Sequence, residues 1–247
     1  MMKMKNIIKY SMIGIVVLLF LSVGGFYIWS QQTYAPSKEM YSLVGKVNTD
    51  SEHHWDVFEP MKNKETGIIL YPGAKVEPEA YSYYAQGLAK DGYTVIIPSV
   101  KFNFAIFDVN KADQIMKSYP SIKKWYVGGH SLGGVAAASY AYKNLNKIEG
   151  IIFLGAYPSN TNDFSNLNVP MLSLYAENDG LSTMSKISKT KHLLSKDAAM
   201  YEVLGGNHGQ FGMYGKQKGD KKATITAQQQ QDKIIEVTMK WLDDNGK

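Results

Sequence analysis

The chain has 247 residues, 45% of them hydrophobic and 12% aromatic, enough to bury the core of one catalytic-size domain with a short appendage. It has no cysteine, which excludes thiol nucleophiles, disulfides and cysteine-ligated metals, and no arginine, which removes the bidentate fork used on phosphates and nucleic acids. Of the net charge of +5, Lys3, Lys5 and Lys9 supply three before any acidic residue occurs, so the rest of the chain is close to neutral and no nucleic-acid partner is expected.

From Tyr10 to Ser37 no residue is charged, and "SMIGIVVLLFLSVGGFYIW" is long enough to cross a hydrocarbon core of about 30 Å as a helix. The lysines precede it, so the N-terminus is expected inside and the body of the protein outside, with Tyr27, Trp29 and Tyr34 near the outer interface. Residues 1–30 are therefore read as a membrane anchor. The competing reading is a cleaved secretory signal, for which Ser22-Val23-Gly24 offers a small-x-small site, and the domain would then be secreted. Residues 31–39 read as a polar linker and 40–247 as the catalytic domain.

Two short strands are expected at Met40–Val47 and Trp55–Phe58, around the turn-rich "NTDSEHH". Next come the apolar strand "GIILYPG", a helix from Pro78 to Asp91, the strand "YTVIIPSV", a helix from Asn110 to Ser118 and the strand "WYVGGHS". A helix from Leu132 to Leu145 leads to the strands "GIIFLGAYP" and "VPMLSLYAEND". A helix from Thr183 to Leu194, the strand "AAMYEVLGG" and a final helix complete the chain. That helix opens at "TAQQ", where Thr226 and Gln229 form a capping box. Apolar strands alternating with helices give an α/β fold, a mostly parallel sheet with helices on both faces.

In Gly129-His130-Ser131-Leu132-Gly133 one serine sits between glycines where a strand must turn abruptly into a helix. That corner holds the serine oxygen at the carboxyl edge of the sheet and at a helix N-terminus, where positive partial charge favours a developing anion. A serine nucleophile needs a base and an orienting acid. His208 and Asp179 both follow strands and stand on the same sheet edge as Ser131, with Glu177 the alternative acid. The oxyanion donors are expected to be the backbone N–H groups of Leu132 and of Ala74 in "YPGAK". His130 lies within the elbow, His192 within a helix, and His53-His54 lacks further ligands for a metal, so neither a metal nor a cofactor is expected.

The stretches "LYPGAKVEPEAY", "KFNFAIFD", "GGHSLGG", "YAENDGL" and "GGNHGQFGMYGKQKGD" together resemble the alpha/beta-hydrolase superfamily. More narrowly, they are similar to its compact bacterial members with a "GGNHxQFG" histidine loop. The resemblance runs from about Thr66 to the C-terminus and implies the alpha/beta-hydrolase fold with Ser131, Asp179 and His208 as its triad. "PSNTNDFSNLN", between two strands, is too short for a large lid, so a small-molecule acyl substrate in an open pocket is expected. Phe102, Phe104, Tyr157, Phe211 and Tyr214 are candidates to line that pocket. The expected activity is hydrolysis of a small carboxylic ester through an acyl-enzyme. An acyltransferase or peptidase with the same triad, or a catalytically silent surface binding module, are the alternatives.

Overall fold

The computed structural model describes residues 2–45, 47, 49–50, 52–62 and 64–246. Helix α1 covers Met2–Ser30, and its apolar stretch Ile8–Ser30 is long enough to span a membrane, with none of its most apolar window buried against the protein. At its end the chain docks. Ser30 is buried, and residues 33–37 run along the domain instead of hanging free as a linker would. The Tyr34 N–H donates to the Lys75 carbonyl at 2.6 Å and the Ser37 N–H to the Met213 carbonyl at 2.7 Å.

The strand expected over 40–47 is replaced by helix α2, Lys38–Val44. The Ser37 hydroxyl caps it by accepting from the Met40 N–H, and Gly45 ends it at φ +76°. Met40, Leu43 and Val44 are spaced as i, i+3, i+4, which lines one face of a helix and not of a strand.

The eight strands are β1 (Thr49–Asp50), β2 (Trp55–Phe58), β3 (Thr66–Tyr71), β4 (Thr94–Pro98), β5 (Lys124–His130), β6 (Gly150–Leu154), β7 (Met171–Ala176) and β8 (Ala199–Val203). They form one sheet in the order β1-β2-β4-β3-β5-β6-β7-β8, in which β1 and β2 are antiparallel and β3 to β8 parallel. The connecting helices are α3 (Ser82–Lys90), α4 (Lys111–Ser118), α5 (Leu132–Lys143), α6 (Met184–Thr190) and α7 (Ala227–Asn245). The sheet is covered on both faces. Ile68, Leu70, Val95 and Ile97 pack with Tyr84 and Leu88 of α3 and Ile234 and Trp241 of α7. Ile69, Ile96, Val127 and Phe153 pack on the other side with Ile115 of α4 and Ala136, Ala137 and Tyr140 of α5. Successive residues of a strand point to opposite faces, so a strand with two buried faces reads as a near-continuous apolar run, as β3 does after Thr66.

Helix α7 opens with the expected capping box, Thr226 and Gln229 bonding each other's backbone N–H. The connection from β6 to β7 carries no regular helix among its residues, so no lid is inserted there.

Candidate active site

The site is built where β5, β7 and β8 end. Strand β5 runs into α5 at Ser131, which adopts φ 53°, ψ −121°, a conformation most residues avoid. Two glycines make the corner possible. A Cβ on Gly129 would overlap the backbone of Gly133, and one on Gly133 would run into the carbonyls of Tyr71 and Pro72 at the end of β3. The Ser131 N–H donates to the Leu154 carbonyl at 3.0 Å, which ties the elbow to the end of β6.

Asp179 follows β7, is 1% exposed, and uses both carboxylate oxygens. Oδ1 accepts from the Leu181 and Ser182 N–H groups at 2.7 and 2.6 Å, while Oδ2 lies 2.7 Å from Nδ1 of His208. A carboxylate only accepts, so Nδ1 of His208 donates and Nε2 is left with its lone pair. Nε2 is buried and has no hydrogen-bond partner among the described residues; its bond to Ser131 is not formed. Such bonds tighten when substrate arrives. Glu177 is turned elsewhere: its Oε2 accepts from the Gly205 N–H at 2.7 Å.

His130 packs against His208 with ring centroids 4.5 Å apart. The Tyr81 hydroxyl accepts from the Gly73 N–H at 2.8 Å and shares a second hydrogen bond with Nδ1 of His130 at 2.9 Å. Burial, with the neighbouring His208 adding to it, holds the His130 pKa well below the ordinary histidine value, so this ring is a neutral prop. It connects His208 to the loop carrying the expected oxyanion donor Ala74. Neither the Ala74 nor the Leu132 N–H has a protein acceptor among the described residues, and Gly133 brings their two segments into contact.

The aromatic candidates divide. Tyr157 is half-buried and close enough to Asp179 that the carboxylate adds to the effect of burial in raising its phenol pKa. Phe211, expected on the pocket wall, has no exposed surface and packs between the His130 ring and Gly155; Tyr214 is also buried beside His130. Both pack against the His130 ring. Phe102 and Phe104 contact α1, Phe104 stacking on Trp29 with centroids 5.6 Å apart.

Three residues that hold the site were not singled out from sequence. Asp220 accepts from the N–H groups of Gly180, His208 and Gly209 at 3.0, 3.3 and 2.8 Å, stapling the acid loop to the histidine loop. Gln230 and Gln231 of α7, both fully buried, bond the backbone of Asn207 and Gln210 on either side of the base. The available signal was two amides on the helical stripe that continues as Ile234, Thr238 and Trp241, since buried amides require partners. No group of histidine, aspartate and glutamate side chains able to hold a metal occurs among the described residues.

A family model described as "Alpha/beta hydrolase family" matches residues 67–232. No curated protein matches the chain. Among solved structures, the alpha/beta hydrolase enzyme MGS-MChE2, from a metagenome of lagoon sediments at Mar Chica in Morocco, is similar at a TM-score of 0.60 and 12% identity. The match covers 82% of this chain and 100% of that one. Est1E from Butyrivibrio proteoclasticus matches at 0.60 and 12%, over 80% and 98% of the two chains. The esterase domain of a Rhodothermus marinus protein matches at 0.59 and 11%, over 76% and 91%. At such identities the likeness concerns the fold.

Proposed function

Since the chain belongs to the alpha/beta hydrolase family, we propose that it is a membrane-tethered serine hydrolase that cleaves small carboxylic esters through an acyl-enzyme. The observation that carries this reading is the buried Asp179–His208 pair, 2.7 Å apart, on the sheet edge where the strained Ser131 turns into α5. With an ester bound, Nε2 of His208 takes the Ser131 proton as Oγ attacks the carbonyl carbon. The carbonyl electron pair moves onto oxygen, where the N–H groups of Leu132 and Ala74 receive it. Collapse of this intermediate expels the alcohol, protonated by His208. Water, deprotonated by the same nitrogen, then releases the acid and restores Ser131.

Support for an ester comes from structural neighbours named as esterases, and support for a small acyl group from the lid-free β6–β7 connection. Support for a tether with the catalytic domain outside comes from α1 and the lysines before it.

The test is labelling of the full-length protein with a fluorophosphonate, followed by p-nitrophenyl esters of graded chain length. Labelling of the wild type, its loss in Ser131→Ala, and highest kcat/KM on the shortest esters are expected. A Ser131→Ala protein that still labels and turns over would overturn the assignment.

A further inference from the structure

The loop between β4 and α4 carries an apolar surface that neither the core nor the site accounts for. Phe102, Ile106 and Phe107 are 45%, 42% and 49% exposed, and Phe26 and Tyr27 beside them on α1 are 37% and 54% exposed. Phe26 lies with its ring centroid 5.9 Å from Phe102 and 6.1 Å from Phe107, so loop and helix share one aromatic cluster. The loop's backbone is unusual. Phe102 and Asn103 adopt φ 55° and 60°, and a left-handed conformation costs a bulky residue about 1–2 kcal/mol. Here it turns the Phe102 ring onto the α1 end. Asn103 bonds both partners, its Nδ2 donating to the Ser30 carbonyl and its carbonyl accepting from Lys75, next to Ala74.

We propose that loop 101–107 lies in the outer interface of the lipid bilayer that α1 crosses, which holds the Ala74 segment, bonded to the loop through Lys75, close to the membrane. The occupant of the apolar surface is the lipid, because the surface is continuous with a helix none of whose most apolar window is buried against the protein. The depth agrees. Phe26 stands one turn before the helix end at Ser30, about 6 Å deeper, which is close to the thickness of one polar interfacial layer. Exposed aromatic rings belong at that level, and lysine ammonium groups belong just above it. Lys75 holds its ammonium 4.3 Å over the Trp29 ring, and Lys101 extends from the loop itself.

This inference rests on the tether reading, and the cysteine-free sequence gives a direct test of both. Single variants Phe107→Cys, Ile106→Cys, Val17→Cys and Met61→Cys of the full chain are labelled with a polarity-sensitive fluorophore. They are reconstituted in phosphatidylcholine–phosphatidylglycerol nanodiscs containing doxyl lipids at shallow or deep positions. Met61, fully exposed ahead of β3 at the opposite sheet edge, serves as the aqueous reference. Labels at 106 and 107 should be blue-shifted and lose emission mainly to the shallow quencher, the label at 17 mainly to the deep one, and the label at 61 to neither. Ile106 takes no part in the ring contacts, so its variant keeps the test valid if Phe107→Cys disturbs the loop. Labels at 106 and 107 that behave like the label at 61 while position 17 is quenched would overturn the inference and leave the tether standing. An unquenched position 17 would overturn both.

Discussion

Asp179 and Glu177 stand two residues apart at the end of β7, and their backbone partners separate their roles. Asp179 spends one oxygen on two N–H groups of its own loop and aims the other at His208, while Glu177 bonds Gly205. An amide at 179 keeps the shape and loses the charge that orients the imidazole and stabilises imidazolium. Asp179→Asn should therefore lower kcat by about 10⁴, and Glu177→Gln by far less, with initial rates on one ester as the readout. His130 gives a second prediction, in stability. Its pKa is depressed on folding, so below about 6.5 the unfolded chain binds a proton that the folded chain refuses, and stability falls with pH. The contribution is whole above that pH and declines at up to about 1.4 kcal/mol per pH unit on acidification. Urea midpoints between pH 7 and pH 5 should fall less steeply for His130→Gln than for the wild type; parallel slopes would place the ring in a solvated site. Ser131, His208 and Asp179 were legible because strand, turn and glycine spacing mark them locally. Asp220 was not, since its partners are backbone N–H groups up to 40 residues away.

At the level of elements, the parallel strands were legible for a simple reason: a strand buried on both faces reads as a continuous apolar run, as "GIIL" and "VIIP" do. Helix α2 was misread as a short strand before the turn-rich "NTDSEHH", whereas Met40, Leu43 and Val44 carry a helical period and Ser37 a cap. The histidine and acid loops depend on a different device. Neither contains a helix or strand of useful length, and they are joined by Asp220 together with the Asp179–His208 and Glu177–Gly205 bonds, with α7 holding the histidine loop through Gln230 and Gln231. Asp220→Ala leaves four N–H groups, of Gly180, His208, Gly209 and Lys221, without this acceptor and should lower both the melting temperature and kcat, with KM little changed. The informative readout is the rate of fluorophosphonate labelling at a temperature where the variant is fully folded. A purely structural role would leave that rate at the wild-type value, while a positioning role should lower it by on the order of 10-fold, the scale on which geometry near a reacting atom is felt.

On the scale of the whole molecule, α1 and the domain are joined without slack. The chain leaves α1 at Ser30 and is at once bound to the domain by Asn103 on Ser30, by Tyr34 on Lys75, by Glu77 on Tyr34 and by Ser37 on Met213. Composition suggested a linker here because "SQQTYAPS" is polar and carries a proline, and composition does not reveal which backbone groups find partners. The strap matters to both readings of the N-terminus. Removal of a signal near Gly25 would spare it, so a secreted form keeps the same docking, whereas a chain begun at Lys38 loses it. Each intramolecular hydrogen bond contributes about 0.5–1.5 kcal/mol net, so losing these four should destabilise the domain by about 2–6 kcal/mol. The Tyr34 ring, 5.6 Å from that of Tyr214, is lost with them, exposing the packing beneath His130. Chains begun at Gly25 and at Lys38 should therefore differ in urea midpoint, and the shorter one should also lose kcat on a soluble ester because Lys75, adjoining Ala74, is no longer held by Tyr34. Equal midpoints and equal kcat would show that the strap is a passive tether, and that the loop bearing the expected oxyanion donor keeps its position through Asn103 and Tyr81.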